Sequence, residues 1–130
     1  MNTKTVCDIP KRHRGEININ FNIEITDKEE IETFYSLLVL GCITAIREDL
    51  LTWDQVEERL FSPNTLTKLE ELNLHSTLIE ITNQGIMELN LLQRLNAIEY
   101  EKSMDEIENL LKTFIKEQKI SEGEWKHWIK

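Results

Sequence analysis

The sequence is sparing with residues that cross-link or punctuate a chain: it holds two cysteines, two prolines, four glycines and three histidines among 130 residues. Two thiols in unlike settings, Cys7 in a polar segment and Cys42 in an apolar run, make no disulfide framework and point to a reducing, cytoplasmic compartment. Cys42, flanked by Val39, Leu40, Ile43 and Ile46, reads as a packed and inert thiol. Four unclustered glycines leave no loop to cradle a phosphate. None of His13, His75 and His127 has a second histidine at ligand spacing, and the Glu124 and His127 pair falls short of the ligands a metal site needs. The longest apolar run, 37–46, is broken by Gly41 and Thr44 and is too short to span a bilayer, so neither a membrane nor a cofactor is expected.

Positive charge is scarce as well. Fifteen Lys and Arg stand against 24 Asp and Glu, for a net −9. Lys4, Lys11, Arg12 and Arg14 against Asp8 give residues 1–14 a charge of +3, so residues 15–130 carry −9 − 3 = −12. A body so acidic repels phosphates, which argues against nucleic acid and for a basic protein partner such as a toxin, beside the plain solubility that Glu-rich helix faces confer.

What the sequence does have is helix punctuation. Thr26 with Glu29, Thr52 with Gln55, Ser103 with Glu106 and Ser121 with Glu124 each have capping-box spacing. With the apolar periodicity they predict a mostly α fold: a flexible basic leader over 1–15, then a single domain over 16–130 of five to six helices with one N-terminal strand and a Trp-containing tail. Asp27 leads into the central helix, which runs to about Arg47 or Glu48, with Leu38, Cys42 and Ile46 on one buried face and Gly41 admitting another backbone. A helix over 53–61 follows, with Leu51 and Val56 as a hydrophobic staple. Ser62 and Pro63 open another, burying Leu66, Leu69 and Leu72. Residues 86–95 make one short helix, and the last long helix starts at Ser103 with Ile107, Leu110, Leu111, Phe114 and Ile115 inward. Residues 76–85 read two ways, as a helix capped by Ser76 or as a strand through Ile79 and Ile81.

Ile17, Ile19, Phe21, Ile23 and Ile25 alternate with polar residues, the period of a strand with one apolar face. A lone strand leaves its backbone unpaired. Its expected partner is the same strand of a second copy across a two-fold axis, ahead of residues 77–82.

No helix carries a catalytic constellation, so a non-enzymatic protein is expected. The carboxylates cluster on helices, and Asp54, Glu57, Glu58, Glu70 and Glu71 are candidates for partner binding, with Trp125 and Trp128 as aromatic anchors. A structural or regulatory homodimer and a small metal-dependent hydrolase using surface carboxylates are the alternatives. The alternating strand, Leu37-Leu38-Val39-Leu40-Gly41, Leu50-Leu51-Thr52 leading into Glu57-Glu58-Arg59-Leu60-Phe61-Ser62-Pro63, and Leu78-Ile79-Glu80-Ile81 before Gly85 resemble a family of small uncharacterised acidic proteins from Bacillus-type bacteria, over roughly residues 16–115. The resemblance carries over no functional residue. It implies a role of the immunity or antitoxin kind, in which small acidic proteins of such bacteria often serve.

Overall fold

The structure, a computed structural model, describes residues 19–118 and 127–130, excepting the side chains of Ile86 and Met87. Ile17, Cys7, His13, Trp125 and the Ser121 and Glu124 box lie outside the described residues. The chain divides into two units, Ile25–Glu124 and a smaller one of Met1–Glu24 with Trp125–Lys130.

The larger unit is helical: α1 (Lys28–Arg47), α2 (Trp53–Arg59), α3 (Pro63–Glu71), α4 (Ser76–Gln84), α5 (Asn90–Leu95) and α6 (Ala97–Glu117). A π-helical turn, Gly85–Leu89, joins α4 to α5. The starts of α2 and α3 follow the expected chemistry. Thr52 and Gln55 form a reciprocal capping box, and Ser62 caps a helix whose first residue is Pro63. Two other boxes are displaced. Asp27, not Thr26, caps α1 by accepting from the Glu29 N–H at 2.9 Å. Asn96 caps α6 by accepting from the Glu99 N–H at 3.1 Å, which leaves Ser103 inside the helix. Asn and Asp are at least as good at the N-cap as Ser and Thr, and the nearer cap wins.

The ends of α1 and α3 are made without glycine. After α1, Asp49 adopts φ 60, and the Asp49 and Leu50 N–H groups donate to Ile46 and Ala45 carbonyls. After α3, Asn73 adopts φ 55, and the Asn73 and Leu74 N–H groups donate to Glu70 and Leu69 carbonyls. Both are Schellman closures with Asp or Asn in the left-handed position these residues tolerate. The second drops Leu74 into the core and turns the chain into α4.

Tyr100, Met104, Ile107, Leu111 and Phe114 form a continuous buried stripe on α6, alternating four- and three-residue steps. It packs on α1, whose buried apolar face is Tyr35, Val39, Cys42, Ile43 and Ile46. Leu38 is only half-buried and Leu37 is exposed, so α1 presents one face inward and is not surrounded. A Cβ at Gly41 would meet nothing within 4 Å, so no backbone approaches there. Trp53 and Phe61, with ring centroids 6.3 Å apart, close the core beneath Gly85, whose added Cβ would lie 3.7 Å from each ring. Trp53 Nε1 donates to the Tyr100 hydroxyl at 2.9 Å. Thr82 donates to the Leu78 carbonyl at 2.8 Å, so the buried Tyr35 hydroxyl is the donor in its bond to Thr82. Arg47 ties the end of α1 to α6 through Glu101, Asp105 and Glu108 at 3.0, 2.7 and 2.9 Å.

Two β expectations change. Residues 77–82 are helical, inside α4, with His75 rather than Ser76 as the cap. Among the described residues there is no sheet: the alternating segment makes one antiparallel bridge, Ile23 to Ile129. The Glu24 N–H donates to the Trp128 carbonyl at 2.8 Å and the Lys130 N–H to the Asn22 carbonyl at 2.9 Å. Strand Ile17 to Ile25 is therefore not formed as a ladder there, and its one pairing is to the C-terminal segment rather than to 77–82. Ile19, Phe21 and Ile23 are exposed rather than inward, and Ile25 is half-buried. Alternation specifies an extended backbone; it does not specify a partner or a covered face.

Candidate functional site

The five candidate carboxylates of α2 and α3 do not converge. On α2, Asp54 and the half-buried Glu57 both accept from the Asn90 side-chain amide, at 2.8 and 3.1 Å, and Arg94 lies 3.8 Å from Asp54. These two acids thus brace α2 against α5. Glu58 is exposed beside Arg59 at 3.7 Å. Glu70 and Glu71 are exposed at the last turn of α3, where the macrodipole disfavours negative charge by about 0.3–1 kcal/mol. They have no ion-pair partner among the described residues. Trp128 is half-buried in the smaller unit.

An open groove of about 800 Å³ runs between the start of α4 and the outer side of α6. Its lining includes His75 and Thr77 from one wall and Glu106, Asn109, Leu110, Thr113, Phe114, Glu117 and Gln118 from the other. The α6 residues form a second stripe beside the core stripe, so the same helix holds the core with one edge and the groove with the next. Phe114 is buried at the floor, while Leu110 is 49 % exposed although the periodicity assigned it to the core.

The α4 wall is fixed by a long-range contact. The buried Glu32 carboxylate on α1 accepts from the His75 N–H at 2.7 Å, and the neighbouring Ser36 and Thr33 hydroxyls return to their own helix carbonyls. His75 Nδ1 accepts from the Thr77 N–H at 3.1 Å, so the neutral ring carries its proton on Nε2, free to donate. The ring stands edge-on to Phe114 at 5.1 Å and 72°. The lining has no Lys or Arg, and its two carboxylates, Glu106 and Glu117, have no ion-pair partner among the described residues.

The shifted titratable groups lie elsewhere and have structural causes. Burial pushes the Tyr35 hydroxyl up to about 12 and raises the Cys42 thiol, leaving the latter a packed side chain rather than a nucleophile. Burial likewise raises Tyr100. Hydrogen bonding to Lys112, then to Arg47, lowers the Glu108 carboxyl, and Asp105 foremost among the three acids raises the Arg47 guanidinium. Among the described residues no group of three or more His, Cys, Asp and Glu is set to hold a metal ion. Nor is any helix there long and apolar enough to cross a membrane.

Sequence reasoning missed the groove, taking Leu110 for core and Glu106 for a capping-box residue. The available signal was the i, i+3, i+7, i+11 stripe of Glu106, Asn109, Thr113 and Glu117, polar beside an exposed Leu.

Comparison with curated proteins and with solved structures returned no match. The sequence profile of a family described as protein of unknown function (DUF3969) matches residues 26–130. The match begins just after the alternating segment and takes in the Trp-containing tail, whereas the pattern-level resemblance spanned roughly 16–115. Since it covers well over half of the chain, the protein belongs to the DUF3969 family.

Proposed function

We propose that the protein is a non-enzymatic, acidic interaction protein of the immunity or antitoxin kind found in Bacillus-type bacteria, which binds and neutralises a basic cognate partner in the cytoplasm. One observation supports this reading above the others. Residues 25–118 hold 19 acidic and eight basic side chains, a net −11, and four of those eight bases, Arg47, Arg59, Arg94 and Lys112, are already in ion pairs. The excess is therefore uncompensated, and part of it sits at helix C-terminal ends, Glu70, Glu71 and Glu117, where it opposes stability. Plain solubility does not require acids at those ends. A basic partner would neutralise them, and the field of the whole body would steer its approach.

Capture from a lysate of the native host, followed by binding measurements on the purified captured protein, tests the reading. The expected partner is basic, and its association rate falls by about tenfold or more between roughly 0.05 and 0.5 M salt. An acidic partner, or an on-rate indifferent to salt, would end it.

A structural or regulatory homodimer is favoured by a separate observation in the smaller unit. Ile19 and Phe21 are 85 % and 70 % exposed, and the backbone groups of Phe21 and Ile23, on the edge away from Ile129, have no partner among the described residues. Such an edge fits antiparallel addition of a second copy. Because these side chains are not buried, they can be changed without opening a core. Ile19→Lys with Phe21→Lys is expected to convert a dimer to a monomer in sedimentation equilibrium while far-ultraviolet circular dichroism stays unchanged. A wild-type chain that is monomeric at high concentration removes this reading.

A further inference from the structure

We propose that the groove between the start of α4 and α6 receives an extended basic segment of the partner, bound through one large apolar side chain set between two Lys or Arg side chains. The inference rests on the reading of the protein as a binder of basic partners and adds the place and chemistry of recognition.

The argument is one of complementarity along α6. Glu106 and Glu117 are eleven residues apart, which on a helix is about 16.5 Å. Both line the groove, neither has a cation among the described residues, and the lining contains no Lys or Arg. Between them the floor is apolar, made by buried Phe114 and half-exposed Leu110. The volume, about 800 Å³, is that of a site for a bound side chain with several residues of backbone. Asn109 and Thr113, exposed beside the floor, keep side-chain donors and acceptors that no described residue uses and that suit a peptide backbone.

In an extended chain, residues i, i+2 and i+4 share a face and span about 13–14 Å. Two long basic side chains at the ends of that span splay to reach carboxylates about 16.5 Å apart, while the central side chain points at the floor. The required sequence is basic, any, apolar, any, basic. A purely basic segment would leave Leu110 and Phe114 uncovered, and a purely apolar one would bring no charge to Glu106 and Glu117.

The test is titration of the full chain, labelled with nitrogen-15, with acetylated and amidated Lys-Thr-Phe-Thr-Lys. Amide shifts are expected at Thr77, Asn109, Leu110 and Thr113, with binding weakened about tenfold or more by Glu106→Lys combined with Glu117→Lys, or by Leu110→Asp. Lys-Thr-Ser-Thr-Lys and Glu-Thr-Phe-Thr-Glu are expected to bind about tenfold more weakly or worse. All three substituted residues are exposed, and unchanged circular dichroism verifies the fold; Thr113→Arg serves as an independent block should the double change unfold. Absence of shifts in the groove, shifts centred near Glu70 instead, or equal binding of either control peptide overturns the proposal. A basic cognate partner that binds the Glu106→Lys, Glu117→Lys chain as tightly as the wild type overturns the groove alone; a partner that is not basic overturns the broader reading.

Discussion

Replacing Trp53 with alanine is expected to cost about 3–5 kcal/mol of folding free energy, the largest single loss in the molecule. Trp53 is the first residue of α2, fixed at the helix entrance by the Thr52 and Gln55 box, yet it is only 2 % exposed. Its ring packs on Phe61 and lies under the π turn, so one side chain joins α2, the loop before α3 and the α4 to α5 passage. Removing it opens a cavity where three elements meet and leaves the Tyr100 hydroxyl without its donor. Trp53→Phe separates the two contributions, since it keeps an aromatic ring and removes the N–H, with an expected loss of about 1–2 kcal/mol. Urea unfolding followed by circular dichroism measures both. An alanine variant within about 1 kcal/mol of the wild type would mean that Trp53 does not join these elements.

The α2 and α3 entrances were legible because their signals are local: a hydroxyl, a spacing of three, a proline at the first helical position. The end of α1 near Arg47 was legible too, but the way α1 and α3 close was not, since Asp49 and Asn73 occupy the left-handed position usually filled by glycine, and short polar side chains announce a turn less distinctly. Local rules also failed where two candidates competed, as at Thr26 beside Asp27 and Ser103 after Asn96. Period-two alternation over 17–25 fixed an extended expectation but held no information on the partner, which lies about a hundred residues away at Ile129. The candidate site shows the same division. That α2 and α3 are acidic was readable; that Asn90 holds Asp54 and Glu57 while Glu70 and Glu71 stand open depends on contacts between distant segments. The groove needed three distant segments brought together by two such contacts: Glu32 on α1, the His75 turn, and α6.

Leu111→Ala is expected to cost about 2–5 kcal/mol, whereas Leu110→Ala costs less than about 1 kcal/mol. The two residues are neighbours and chemically identical, and apolar periodicity assigned both inward. On a helix they point about 100° apart. Leu111 falls on the stripe of Met104, Ile107 and Phe114 and is 0 % exposed, so its removal leaves a void between α1 and α6 that packed neighbours fill only in part. Leu110 falls on the Glu106 and Thr113 side, at the groove, and already meets solvent. A helix that buries one heptad-like stripe has room for only one of them in the core. The readouts also separate: Leu111→Ala lowers the thermal midpoint, while Leu110→Ala leaves the midpoint nearly in place and weakens the groove's hold on Lys-Thr-Phe-Thr-Lys. Equal losses of stability in the two variants would mean that α6 turns a different face toward α1, and both the core stripe and the groove would have to be redrawn.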